Sequence, residues 1–305
     1  MINCFVNNEF SLLDTVILGI ANDFGGTPLL SDTYDPKSRQ SIIKNNFPIE
    51  SDLINALNQV LLVFEKYNIN VYRPDNIKDC NQIFTRDVGF VIENKFFKSN
   101  VINDRKEEIN GLSSIINHIN SNEIISIPDD ISVEGGDVIV HNDYIFCGYS
   151  NSTLFNKFKV CRTSENILDF ISNVFSSKKV IGFELIKSDT DPHASCLHLD
   201  CCFQPLGLGH VIVCPEAFRN LDDVQFINDV FGVQNIININ LDEMSHMYSN
   251  IFSISKNVVI SDIKFKRLNN ILIKKGYTVE TVSFSEVSKM GGLLRCATLP
   301  LKRSL

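Results

Sequence analysis

The stretch Val133-Glu134-Gly135-Gly136-Asp137-Val138 sets two carboxylates around two glycines, directly ahead of an apolar run, Val138–Val140, that reads as a strand. Working outward, Tyr144–Cys147 reads as the hairpin partner of that run, turned at His141-Asn142-Asp143. Glycine, lacking Cβ, lets a backbone and a ligand come close. Taken alone, the stretch reads equally well as a turn with solvated acids. It is not a phosphate loop, because it has neither the spacing nor the Lys of such loops.

Three other segments carry residues suited to chemistry. Ile83-Phe84-Thr85-Arg86-Asp87-Val88-Gly89 opens an apolar strand with an Arg-Asp pair, which a surface ion pair would also explain. Leu197-His198-Leu199-Asp200-Cys201-Cys202-Phe203 reads as a strand, so His198, Asp200 and Cys202 share one face. A zinc site drawn from Cys196, His198, Asp200 and Cys202 would crowd its ligands on one strand and lacks the usual Cys-x2-Cys pair, so no metal is expected. Gly291-Gly292-Leu293-Leu294-Arg295-Cys296 ends a glycine-led strand with a cysteine beside an arginine. A buried inert thiol is the ordinary reading of a single cysteine, whereas a nearby cation would raise its thiolate fraction.

Between these segments strands and helices alternate. Strands are expected at Thr15–Ile20, Asn70–Tyr72, Val88–Glu93, Lys95–Phe97, Cys196–Phe203, His210–Cys214, Asn250–Ile254, Val258–Ser261 and Leu293–Leu299. Helices are expected at Ser51–Tyr67, Asp104–Ile119, Ser164–Phe175, Leu221–Phe231 and Phe265–Lys275. Two strands followed by a helix return about every 50 to 60 residues, which hints at a structural repeat. No linker-like tract divides the chain, so residues 1–305 are expected to form one domain.

The composition is that of a globular protein, 44% apolar and 21% charged, with 22 Phe and no Trp to fill its core. A net charge of −8 repels phosphate backbones and argues against a nucleic-acid partner. The N-terminal stretch has no signal-peptide pattern and no apolar window is long enough to span a membrane. Nine cysteines, an odd number without repeating spacing, suit reduced thiols in a cytoplasmic protein. Seven of them, Cys4, Cys80, Cys147, Cys161, Cys196, Cys201 and Cys214, read as core thiols.

In chain order the motifs run Asp, Glu-Gly-Gly-Asp, His-x-Asp, Cys, with Arg162-Thr163 after the second. Together they resemble the guanidino-group-modifying enzymes: arginine deiminases, dimethylargininases, arginine dihydrolases and amidinotransferases. The resemblance spans Phe84 to Cys296. It implies an α/β fold of five blades, a pseudo-fivefold propeller known as the pentein fold, with the site in its central channel, whose floor Cys202 would line beside His198.

It also implies roles. Cys296 would attack the guanidinium carbon and form a covalent amidino-cysteine, with His198 as acid and base and Glu134 orienting it. Asp87 and Asp200 would clamp the planar cation by paired, charge-assisted hydrogen bonds. Phe84, Arg86 and Asp137 would line the substrate site, and Arg162 would read the substrate carboxylate. No cofactor is implied. The partner would be a small guanidino compound, arginine or a derivative, and the oligomeric state, a homo-oligomer included, stays open. The Glu-Gly-Gly-Asp form resembles the hydrolases, whereas amidinotransferases of animals and cyanobacteria carry a Phe-Asp-Ala type segment there. Asp87 stands where dihydrolases show Asn, which argues against double hydrolysis to ornithine. Transfer of the amidino group to an amine is the alternative within this chemistry. A non-catalytic arginine-binding protein is the alternative outside it. Unlike the deiminases, the chain has only Gly291-Gly292 ahead of the cysteine, and Arg295 is its direct neighbour, a position from which it would support the fold.

Overall fold

Five sheets of three strands each repeat one connection pattern. The structure, a computed structural model, describes residues 1–304. In each complete unit a hairpin is followed by a helical crossover and a third strand parallel to the second. Strands β1 (Leu13–Leu18) and β2 (Asn70–Tyr72) are parallel across the helices Pro36–Ile43 and Glu50–Lys66. The second sheet holds β3 (Gly89–Ile92), β4 (Lys95–Lys98) and β5 (Ile124–Ser126). The third holds β6 (Val138–His141), β7 (Tyr144–Tyr149) and β8 (Lys179–Glu184). The fourth holds β9 (Phe203–Pro205), β10 (Val211–Val213) and β11 (Ile236–Asn238). The fifth holds β12 (Phe252–Ser255), β13 (Val258–Asp262) and β14 (Thr278–Val282). The last strand, β15 (Thr298–Arg303), returns to pair antiparallel with β1, giving the first sheet its missing hairpin strand and closing the ring. This is the five-bladed α/β propeller.

Local chemistry sets the hairpins. The β6–β7 turn places Asn142 at φ 53°, a conformation that asparagine tolerates. Glu93, in the β3–β4 turn, has φ 50°, and its backbone is held by paired hydrogen bonds with Val6. The helix Glu50–Lys66 buries Leu53, Ala56, Leu57, Val60 and Phe64, the three- and four-residue spacing of one helix face. No helix among the described residues is long and apolar enough to cross a membrane.

Each hairpin was legible in sequence, but four parallel third strands were not: β5, β8, β11 and β14. They lie at the sheet margins and are largely half-buried or exposed, so they carry little apolar periodicity. Two expected strands are corrected. Within Cys196–Phe203, the Leu199–Cys201 segment is a tight 3-10 turn, because Asp137 Oδ1 takes the Leu199 N–H at 2.8 Å while Cys201 and Cys202 N–H groups bond back to His198 and Leu199 carbonyls. Only Phe203–Pro205 is strand, so the alternate-face reading of His198, Asp200 and Cys202 does not hold. Within Leu293–Leu299, the first residues coil into a turn held by Ala297 N–H to Leu293 O and Thr298 N–H to Arg295 O, each 3.1 Å. Cys296 therefore precedes the last strand rather than ending one.

Leu299 on β15 is fully buried and packs toward Gly89 of the second sheet, so it ties the closing strand to the neighbouring blade. Leu299→Ala is expected to lower stability by about 2–5 kcal/mol, the usual cost of a large-to-small core change. Urea unfolding checks this, and a loss below about 1 kcal/mol would contradict the packing role assigned to the closing strand.

Candidate active site

The turns that precede the first strand of each blade meet on one side of the ring. Before β3 stands Asp87, before β6 Glu134, before β9 His198 and Asp200, before β12 Asn250, and before β15 Cys296. Their backbones interlock: Arg86 N–H bonds Cys296 O at 3.0 Å, and Gly135 N–H bonds Asp87 O at 3.1 Å.

Asn250 holds the cysteine from both sides. Its Oδ1 accepts the N–H groups of Arg295 and Cys296 at 2.9 and 3.2 Å, and its Nδ2 donates to Cys296 Sγ at 3.1 Å. Asp200 Oδ2 lies 3.7 Å from the same sulfur and takes Arg295 Nη1 at 2.9 Å. Arg295 also reaches Glu9 Oε1 at 3.1 Å. Burial alone would raise the Glu9 pKa, but Arg295 and Arg86 override it and hold this carboxyl at about 2.

Glu134, fully buried, is the meeting point on the other side. Its carboxylate takes His198 Nε2 at 2.9 Å, Arg105 Nη1 at 2.8 Å and Arg162 Nη1 at 3.0 Å. Arg105 also bonds Asp87 Oδ2 at 2.9 Å and pairs with both oxygens of Glu108. Asp87 Oδ1 and His198 Nδ1 face each other at 3.6 Å, and both are buried without a hydrogen-bond partner. Gly136 makes this convergence possible. A Cβ there would sit 2.7 Å from His198 Nδ1 and 2.8 Å from Asp87 Oδ1, and one on Gly135 would sit 2.1 Å from the Arg86 carbonyl oxygen.

The electrostatics follow from this packing. Burial would lower the His198 pKa, but Asp87, Glu134 and Asp137 outweigh it and raise it to about 9, so the imidazole is cationic at neutral pH. Glu134 is held well below the usual carboxylate range: burial opposes this, but Arg162, Arg105 and His198 prevail. The Cys296 thiol is pushed far up by burial and by the Asp200 and Asp87 carboxylates, with Asn250 acting weakly in the other direction.

The family model described as N,N dimethylarginine dimethylhydrolase, eukaryotic, matches residues 37–303. The chain belongs to this family. With it the protein stands in the guanidino-modifying pentein superfamily, whose members are hydrolases or transferases of guanidino groups. It is 29% identical over 224 residues to the uncharacterized protein YkgA of Bacillus subtilis, a match covering 73% of this chain and 70% of that protein. The fold is shared with the product-bound N-terminal domain of ArgZ, an arginine dihydrolase from the ornithine–ammonia cycle in cyanobacteria, at TM-score 0.77 and 17% identity, covering 95% of this chain and 97% of that one. It is shared equally with the inosamine-phosphate amidinotransferase StrB1 of Streptomyces griseus, at TM-score 0.77 and 15% identity, covering 100% and 98%.

Within this dimethylargininase-family chain, the structure brings Cys296, Asp200, Asp87, His198 and Glu134 together. Phe84 joins them by packing against Gly292, which in turn abuts Cys296 Cβ. Three residues expected at the substrate are placed otherwise. Arg86 turns into the core, where its Nε bonds Thr298 O at 2.8 Å and its guanidinium faces Glu9. Asp137 braces the His198 turn through Leu199 N–H. Arg162 is buried rather than a surface residue, and its guanidinium is held by Glu134 and by the Tyr34 carbonyl, the latter at 2.6 Å. Cys202 does not line a channel floor, because its thiol turns to Leu199 O at 3.4 Å. Arg295, expected to support the fold, does so while also gripping Asp200.

Arg105, Asn250 and Glu9 went unread. Arg105 lies in a charged helical stretch and Glu9 in a polar leader, where acids and bases are ordinary surface residues. Asn250 had a signal: it occupies the position ahead of the fifth hairpin that acids, His or Cys occupy in the others. Asp87, Glu134 and His198 present a trio of ligand atoms close enough to share a cation, and the Arg105 guanidinium already bridges the two acids.

A raised histidine pKa gives stability that is complete below the unfolded value of about 6.5. That contribution is lost as pH rises through about 9. An imidazole NMR titration is expected to place the His198 midpoint near 9. In Gly136→Ala, whose added methyl would crowd both the His198 ring and Asp87 Oδ1 and push them apart, the midpoint should fall. A wild-type midpoint at or below about 6.5 would contradict the charge arrangement.

Proposed function

We propose that the protein is a cysteine-dependent hydrolase acting on the guanidinium carbon of arginine or an N-methylated arginine. The observation that carries this reading is the pair of buried, unpartnered atoms, Asp87 Oδ1 and His198 Nδ1, open in the same cluster as Cys296 and Asp200. Uncompensated buried polar atoms are costly unless a ligand completes them. A guanidinium supplies the planar donors that two carboxylates accept.

In the proposed reaction the cation sits between Asp87 and Asp200 and offsets the two charges that add to burial in keeping Cys296 protonated. Loss of the thiol proton to solvent is thereby coupled to substrate binding, and the amine that leaves takes up a solvent proton in turn. The thiolate forms a C–S bond to the central carbon. His198, protonated and oriented by Glu134, gives its proton to the departing amine as the C–N bond breaks. Neutral His198 then takes a proton from water, whose oxygen displaces Cys296 and leaves a ureido product. The family match, through the dimethylarginine hydrolase named in its description, supports hydrolysis and a methylated substrate. The substrate would enter from a cavity of about 430 Å³ lined by Phe24, Tyr34, Asp35, Arg105 and Glu108. Arg105 lines this cavity and also bonds Glu134 of the buried cluster, so it would read a substrate carboxylate once released from Glu134. Residues 1–305 would act as one catalytic domain.

Incubation with N,N-dimethylarginine or arginine alone is expected to release amine or ammonia and citrulline over many turnovers. Cys296→Ser should reduce this by at least about a thousandfold while circular dichroism stays unchanged, since a hydroxyl is far less acidic than a thiol. A single equivalent of ornithine, renewed only by an added amine, would establish the transferase instead. Wild-type turnover in Cys296→Ser would remove the cysteine from the mechanism.

A further inference from the structure

A second cavity of about 430 Å³ opens on the outer surface, and its charge runs against that of the chain. The protein carries a net charge of −8, yet this cavity is walled by Lys37, Lys44, Lys264 and Lys289, with Asp242 its one carboxylate. Among the described residues Lys289 pairs with Glu286, and Asp242 lies beside His193 and His246, while Lys37, Lys44 and Lys264 form no ion pair. Lys37 is half-buried, and its charged form is disfavoured by burial and by Lys44, with Asp242 and Asp35 opposing. A stacked pair, Tyr248 and Phe265 with centroids 3.9 Å apart, forms an aromatic wall. Three cations, two from the helix Pro36–Ile43 with its C-cap Lys44 and one from the turn after β13, face one space with little compensation and lower the energy of an anion placed among them.

The donor type narrows the anion. Planar carboxylates are matched by the arginine fork, and no arginine lines this cavity. Ammonium groups act as point charges that can surround a tetrahedral, multiply charged group. The volume suits a metabolite-sized ligand. We propose that this cavity binds a phosphate-bearing small molecule on Lys37, Lys44 and Lys264, at a site separate from the guanidino site.

The walls lead toward Cys296. Ser41, on the helix that carries Lys37, donates to Lys289 O at 3.0 Å. That helix starts after Tyr34, whose carbonyl holds Arg162. Lys289 is followed by Gly291, packed on Asp35, and by Gly292, packed on Cys296 Cβ. A ligand on Lys37 and Lys44 would therefore sit on the helix that reaches the Cys296 turn through Ser41 and Lys289.

Isothermal titration with pyrophosphate as the probe tests the site directly, without relying on the hydrolase reading. Saturable binding is expected, weakened at least about tenfold in Lys37→Gln/Lys264→Gln. The single variant Lys44→Gln, on an exposed side chain, should show a smaller loss. Unaltered thermal unfolding of both variants confirms that they fold. No saturable binding to the wild-type protein, equal affinity in the double variant, or citrate bound as tightly as pyrophosphate would each overturn the assignment.

Discussion

A carboxylate with no exposure to solvent must be answered by positive charge, and Glu134 is answered three times, by Arg105, Arg162 and His198. Removing a charge from water costs several kcal/mol, and only such pairing offsets it. The requirement reaches far from the site. It fixes the 3-10 stretch that carries Arg105, it fixes the segment that carries Arg162, and through the Tyr34 carbonyl it fixes the strand-to-helix connection above the first blade. A second buried group, Asp200 with Arg295 and Glu9, does the same for the Cys296 turn. On the proposed reading these sets hold Asp87, through Arg105, and Asp200, through Arg295, to clamp a planar cation, so the same electrostatics that hold the fold also set the protonation states of the site.

The ring geometry explains why residues so far apart in sequence can be read together. Every hairpin begins at the centre of the propeller, so the few residues ahead of its first strand are central whatever their identity. That is why four short motifs, none informative alone, pointed to one site. Each has a polar or charged group in a setting where an apolar residue would be ordinary: Asp87 ahead of Gly89, Glu134 and its glycines, the His198–Asp200 pair and Cys296. The fifth position, Asn250, was overlooked because asparagine ahead of a strand is unremarkable in composition, although its place in the repeat marks it as an equivalent.

Other parts could not be read from local pattern. Strand periodicity failed for the outer strands, where exposure removes the apolar alternation that identifies a strand, and it overreached at Cys196–Phe203 and Leu293–Leu299, where buried turns are as apolar as strands. Arg86 and Asp137 sit inside motifs with the right residue types, yet their side chains serve the scaffold. Arg86 meets a backbone carbonyl of β15 and Asp137 meets a backbone N–H. A motif identifies a neighbourhood; which of its side chains face the channel depends on the turn geometry, which only the tertiary hydrogen bonds determine.

Strand β15 pairs with β1 through Leu13–Arg303 and Leu18–Thr298, partners from opposite parts of the chain. Bringing such distant segments together carries a loop-closure cost that is met only when the intervening blades are in place. Cys296 lies two residues ahead of this closing strand, so its position is set by the last contact that completes the circle. A chain in which this seam has opened would have no assembled thiol site, whatever remains of its blades. Competence for chemistry is in this architecture a report on the integrity of the whole ring, and any perturbation that loosens the seam between β1 and β15 should silence the centre before it dissolves the blades.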